Sequence, residues 1–473
     1  MIALALVSLL LPAGAAWALL RWVDPVSGRD VPGLVMRAGL AVLLGTGAGA
    51  LVAYASLAVG VPLGHGYAAV EAVLLAASAA ALWIAAARRG HSAEPSLPAP
   101  PEAWRGLEVV APLVAGAGFL LVAGAVALYG WRAPHGDWDA WAIWNQHARF
   151  LFRGGAAWRV GLSPDLAWSM PDYPPLVPAA VARVWAYSGE TQFGPALVGT
   201  AFTLSGIAVV FGAVARLRGV VAGACAALLM AATEEWIVWG AAQGADVPLA
   251  ALVAGACAAL LVADLPGRNR GGLVAIAGAL LALAGLSKDD GLVFAVLIGT
   301  WCLVRSGRAG ARTSALSLAA GAALPFAAWA HFRFLAAPGL GSVIGGGGGF
   351  ADYLSRLVDP ARWSLILQKV PGHLPGGHGR VALYALVAAA LLGSRPRGMG
   401  RSPVLIPLLA SYGAFLLVYA ITPKDLGYHI TTSAPRILLQ PWPALIMALF
   451  AAGEGRRAGA PTTAQRGLTL ATP

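Results

Sequence analysis

The chain reads as an all-α polytopic membrane protein with about 13 transmembrane helices, and three observations predict that class. Of 473 residues, 59% are hydrophobic and only 11% are charged, where a soluble domain carries about 25% charged. Mean hydropathy is +0.73. The apolar residues fall in blocks of about 18 or more with almost no charge, the length a helix needs to cross hydrocarbon with its backbone bonded internally. A soluble enzyme is excluded, and the composition of disorder is confined to the chain ends.

In chain order, four spans occupy residues 1–130, beginning near Ile2, Leu34, Gly66 and Val109. The first is read as a span and not a signal peptide, because nothing basic precedes its apolar run and Arg21 follows it. Residues 131–190 form a long outer loop expected to be catalytic. Six spans fill residues 191–336, beginning near Phe193, Val220, Ala245, Gly271, Leu292 and Ser314. Residues 337–380 form a second long outer loop with a glycine run from Gly345 to Gly349. Three spans fill residues 381–452, from near Val381, Val404 and Pro435, and residues 453–473 are expected to be a disordered cytoplasmic tail.

Charge tests this layout. Lys and Arg number 32 against 21 Asp and Glu, an excess of +11. In a soluble protein that excess would raise nucleic acid as a partner; here it sits in short loops, so no nucleic-acid partner is expected. Alternate loops hold Arg21, Arg29 and Arg37; Arg88, Arg89 and Arg105; Arg216 and Arg218; Arg268 and Arg270; Arg305, Arg308 and Arg312; Arg395, Arg397 and Arg401; and Arg456 with Arg457. The intervening loops hold Asp137, Asp139, Asp165, Asp172, Glu234, Glu235, Asp246, Asp289, Asp290, Asp352, Asp359 and Asp425. The positive-inside rule then puts the N-terminus outside and the C-terminus on the cytoplasmic side. Cys225, Cys257 and Cys302 lie singly in apolar segments and carry no disulfide or metal signal.

The first outer loop holds Trp131, Trp138, Trp141, Trp144, Trp158, Trp168 and Trp185, of 17 tryptophans in all, which places it at headgroup level. From Trp138 to Arg153 the spacing predicts an amphipathic surface helix, with Trp138, Trp141, Trp144, Ala148, Leu151 and Phe152 on one face and Asp139, Gln146, Arg149 and Arg153 on the other. Gly154-Gly155 ends it, and Pro174-Pro175 opens a second surface helix.

Charged groups at span ends are costly unless they face water, each other or a substrate. Asp137, Asp139, Asp246, Lys288-Asp289-Asp290, Lys424-Asp425 and Arg436 all belong to the outer side of this layout. Carboxylates that take a hydroxyl proton, together with cations that neutralise a departing phosphate, point to chemistry on a substrate bearing both groups. Blander roles compete: Asp137 as a helix N-cap, Asp139 as a residue favoured by the helix dipole, Asp246 as a helix start beside Pro248, Lys288 as a snorkelling anchor, and Lys424-Asp425 as a surface pair. His147, His373, His378 and His429 lack the spacing of a metal site.

The segment from Asp139 through Ala-Trp-Ala-Ile-Trp-Asn-Gln-His to Gly154 resembles the first outer-loop motif of GT-C glycosyltransferases, in particular the aminoarabinose–lipid A transferases and protein O-mannosyltransferases. Asp172-Tyr-Pro-Pro-Leu176 resembles their xPPL motif, Asp246-Val-Pro-Leu249 their acidic residue at a later span, and Gly285-Leu-Ser-Lys-Asp-Asp-Gly291 their TKxG segment. Arg436-Ile-Leu-Leu-Gln-Pro-Trp-Pro443 is similar to their closing R-x-L-L-P-x-x-P helix. The resemblance covers residues 130–450 in order. It implies a GT-C fold and an inverting transfer of a sugar from a polyprenyl-phosphate donor to an acceptor hydroxyl on a lipid, a glycan or a protein. Asp139 would be the general base, with Asp137 its rival. Lys288 and Arg436 would hold the carrier phosphate, and Asp246 would orient the acceptor or bind a cation. Asp172, Tyr173 and Lys424 complete the expected binding set, with Tyr173 standing where the aminoarabinose transferases have a lysine. No cofactor is certain; a divalent cation would have Asp137, Asp139 and Asp246 available to it. The competing class is a lipid or sugar transporter or flippase, which would show internal repeats and midplane charges that the sequence lacks.

Overall fold

In the computed structural model, residues 1–24, 30–89, 106–337, 349–376, 394–396, 404–451 and 453–454 are described. Their elements are helical apart from one short antiparallel pairing of Ser394–Pro396 with Gly453–Glu454. The helices are α1 (Ile2–Val23), α2 (Val31–Ala58), α3 (His65–Arg88), α4 (Leu107–Arg132), α5 (Asn145–Arg153), α6 (Leu176–Ser188), α7 (Phe193–Arg218), α8 (Val220–Ala231), α9 (Glu234–Ala241) and α10 (Asp246–Ala263). There follow α11 (Arg270–Ser287), α12 (Asp290–Arg305), α13 (Gly307–His331), α14 (Phe350–Leu357), α15 (Pro360–Lys369), α16 (Leu405–Ile421), α17 (Leu426–Ile437) and α18 (Trp442–Ala451).

Among the described residues, 8 helices are long and apolar enough to span a membrane, or 10 if two bent pairs each count as one span. The pairs are α8 with α9, bent by 61°, and α17 with α18, bent by 54°. Of the remaining expected spans, α16 has 17 residues and α12 has 16, while the one near Val381 lies outside the described residues. The protein is a multi-pass helical membrane protein. The tail 453–473 also lies almost wholly outside the described residues.

Helix α10 forms the centre, with every one of its residues buried and α7, α11 and α18 around it. Its sequence is apolar all round, which suits burial on every side, although α3 and α4 are equally apolar and leave most of their surface outside the protein core. The antiparallel run α10–α11–α12 gives the molecule two charged ends. At one end the arginines expected in short loops are held by acids: Arg268 to Asp24 at 2.6 Å, Arg216 to Asp30 at 2.8 Å and Arg270 to Asp264 at 3.3 Å. The other end gathers Asp246, Lys288 and Asp290.

The first outer loop departs from its expected form in two ways. Helix α6 does begin directly after Pro174-Pro175, but all 13 of its residues are buried, so it is an interior helix packed against α1, α2 and α5 and not a surface one. Most of its sequence is apolar, and its buried polar groups Arg183 and Tyr187 are met by Glu71 of α3. The helix expected from Trp138 starts instead with a π turn, Ala140–Trp144, before α5. The wider turn rotates the face that follows. Trp138 and Trp141 therefore stay exposed, packed edge to face at 5.9 Å, while Ile143, Trp144 and His147 turn inward. Trp131 and Trp168 are exposed as headgroup anchoring requires, but Trp144, Trp158 and Trp185 are buried and serve packing.

Candidate active site

The acidic loop is placed by a glycine and an amide. Gly136 takes φ +71, and a Cβ there would lie 2.6 Å from the Ala242 carbonyl, so only glycine lets the loop approach the α9–α10 connection this closely. Asn145 then donates to the Gln243 side chain at 2.8 Å, and Gln243 donates to the Pro134 carbonyl at 3.3 Å. These contacts fix residues 134–145 beside the start of α10.

Asp137 accepts from the backbone N–H of Ala140 at 3.1 Å and so caps the π turn. Burial, opposed by that hydrogen bond, raises its carboxyl above the usual carboxylate range. Among the described residues Asp139 accepts no backbone hydrogen bond and instead forms an ion pair with Arg436 of α17. The Arg436 guanidinium also lies over the Trp239 ring, 5.4 Å from its centroid.

Lys288, at the end of α11, donates to Asp246 at 2.8 Å and pairs with Asp290 at 3.1 Å. Burial works against its charge, yet the two carboxylates more than offset that and hold the ammonium above its ordinary value. An ammonium has three donors, and these two acids account for two of them. Gln440, in the break between α17 and α18, donates to Asp246 at 2.8 Å and to Asp290 at 3.0 Å.

Tyr173 stacks on Trp144 at 5.4 Å and lies within electrostatic reach of Lys288, Asp246, Asp290 and Arg436; burial raises its hydroxyl. It also lines a small apolar crevice together with Phe150, Trp158, Pro175 and Phe332. The structure thus brings together Asp137, Asp139, Tyr173, Asp246, Lys288 and Arg436. Asp172 stands apart, 3.8 Å from Arg333, with its carboxyl raised by burial. Lys424 is exposed and forms no ion pair among the described residues; its neighbour Asp425 caps α17 through the Tyr428 N–H at 2.7 Å.

Asp290, Gln440 and Trp239 were not singled out as site residues from sequence. Asp290 lies two residues from Lys288 and was legible as a near neighbour; Gln440 and Trp239 gave no signal, since each reaches the site only through the bend of a helix pair. Among the described residues no group of three or more His, Cys, Asp or Glu converges as a metal-binding set. Asp137, Asp139 and Asp246 each have a protein partner instead.

The fold and the site define a class: a multi-pass helical membrane protein with carboxylates and cations gathered at one end of its bundle. Residues 172–331 match the family model described as dolichyl-phosphate-mannose-protein mannosyltransferase. That match agrees with the GT-C resemblance carried by the motifs, over the stretch that supplies Asp172, Asp246 and Lys288. Asp139 and Arg436 lie outside it. Two solved structures are similar: ArnT from Cupriavidus metallidurans bound to undecaprenyl phosphate, at 17% identity and TM-score 0.42, covering 73% of this chain and 60% of that one; and the same protein in the apo state, at 18% and 0.42, covering 72% and 60%. The chain therefore spans 60% of the length of those structures, and at that TM-score the likeness carries no argument about activity. No curated protein matches the chain.

Proposed function

We propose that the protein is an inverting GT-C glycosyltransferase that moves a sugar from a polyprenyl-phosphate donor to an acceptor hydroxyl at the outer face of a bacterial inner membrane, with its N-terminus outside and its C-terminus cytoplasmic. One observation carries this reading: Asp139, a carboxylate with no capping duty, faces Arg436 beside a second cation, Lys288.

In the step, the acceptor oxygen attacks the anomeric carbon from the side opposite the phosphate. Asp139 takes the hydroxyl proton, the carbon–oxygen bond to phosphate breaks, and the phosphate leaves with the electron pair. Lys288 and Arg436 stabilise the charge it gains. Asp137, whose one oxygen is spent on the Ala140 N–H, orients the loop that carries Asp139. The acceptor is a lipid, a glycan or a protein hydroxyl, and Asp246, tied to Lys288, shapes its approach.

The test is transfer of labelled sugar from polyprenyl-phosphate donors to membrane extract by the purified protein and by Asp139→Asn and Asp137→Asn. Loss with Asp139→Asn supports the assignment; full activity in both variants removes the assigned base. A transporter or flippase is the second reading, favoured by the two bent helix pairs, since broken helices line transport pathways. It predicts movement of the intact donor across vesicles with no new glycosidic product.

A further inference from the structure

We propose that Gln440 is a positioning residue of this site: it clamps Asp246 and Asp290 around the Lys288 ammonium, so that the remaining Lys288 donor meets the phosphate of the carrier. The inference rests on the transfer reading and assigns the site a residue that its motifs do not supply.

The geometry joins three separated elements. Asp246 opens α10, Asp290 opens α12, and Gln440 sits in the 54° break between α17 and α18, followed at once by Pro441. One amide nitrogen reaches both carboxylates, at 2.8 and 3.0 Å, and the side chain is fully buried. The amide orientation is set by chemistry, because an oxygen turned toward two carboxylates would find no proton there.

Two carboxylates flanking one ammonium repel each other, and the triad carries one net negative charge. A neutral donor bridging them removes that strain without adding a cation that would compete for the phosphate. Gln440 Oε1 is buried with no hydrogen-bond partner among the described residues, so the residue is held by its donor side alone. A side chain kept only for packing would have no need of the amide.

The experiment compares the full-length protein with Gln440→Met, which keeps the volume and removes the donor, and Gln440→Glu, which adds a third carboxyl. Melting temperature in detergent checks the fold. With Gln440→Met, kcat/KM for the lipid-phosphate donor is expected to fall roughly tenfold or more, mainly through KM. Gln440→Glu is expected to be inactive at neutral pH and to recover as the medium is acidified, because a protonated carboxyl can donate one of the two lost hydrogen bonds. The wild type has no such acid recovery. A Gln440→Met enzyme within twofold of wild type at equal melting temperature, or a Gln440→Glu enzyme with the wild-type pH profile, overturns the proposal. Binding of a short-chain polyprenyl phosphate, measured without turnover, separates the two levels. If the wild type transfers no sugar but Gln440→Met still binds this lipid less tightly, the transfer reading fails and the clamp stands. If Gln440→Met binds it as tightly as wild type, the clamp fails whatever the activity.

Discussion

The protein holds two ion-pair regions built from the same kinds of group but differing in burial. In the first, Arg183 of α6 donates to Glu71 of α3 at 2.8 Å, with side chains only 2% and 5% exposed. Glu71 also accepts from Tyr67 and Tyr187, each at 2.8 Å, and Arg183 reaches the Ser8 carbonyl of α1. Every Glu71 oxygen is satisfied by protein. In the second, Asp139, Arg436, Lys288 and Asp290 are 25%, 21%, 15% and 29% exposed, and Lys288 has a donor to spare. Burial separates the two regions: the first is sealed among helices, with Arg183 Nη2 left without a hydrogen-bond partner among the described residues, and the second stands partly open at one end of the bundle.

The sharpest way to break this comparison is to neutralise one acid in each region. Asp139→Asn is expected to lower sugar transfer on the order of 10³-fold, as loss of a general base does, with little change in melting temperature. Glu71→Ala leaves Arg183 buried without its counter-ion and should cost about 3 kcal/mol of stability, read as a lower melting temperature and poor yield. If Glu71→Ala melts like wild type and Asp139→Asn unfolds, the two regions have been assigned the wrong way round.

A pH test comes next in size. His147, on α5, bonds to Ser169 at 3.0 Å, and Ser169 donates to the Ala142 carbonyl at 2.9 Å, tying the loop to the π turn. Burial lowers the His147 imidazole to about 4. A depressed histidine contributes stability that is complete above its unfolded value near 6.5 and is lost as the pH falls from there toward 4. Acidification from pH 7 to pH 5 should therefore cost about 2 kcal/mol, and His147→Gln should flatten that slope.

The smallest effect is the most diagnostic of partner exchange. Arg436 is held by Asp139. Removing that charge frees the guanidinium, so Asp139→Asn should bind a polyprenyl phosphate several-fold more tightly than wild type, about 1 kcal/mol, although it transfers nothing. Weaker or equal binding in a titration means that Arg436 does not trade the base for the phosphate.

Much of the site was legible because chemistry-bearing residues are rare in apolar segments: Asp139, Asp246, Lys288 and Arg436 stand out against residues that cannot do their work. Asp172 and Lys424 drew attention by the same rule, yet the chain folds them away from the cluster, one toward Arg333 and one toward solvent. Arg183 and Glu71 also break an apolar pattern, but 112 positions separate them, and nothing in either segment names the other.

The sequence by itself determined the membrane class, the alternation of basic and acidic loops and the gathering of Lys288 and Arg436 with acids at one end of the bundle. Those properties follow from composition and spacing along one strand of chain, which hydrocarbon reads locally. Only the tertiary structure decided that α6 is interior, that a π turn exposes Trp138 and Trp141, and that Gln440 joins Asp246 to Asp290. The physical reason is that burial and hydrogen-bond partnership are relations between helices, set by how they pack.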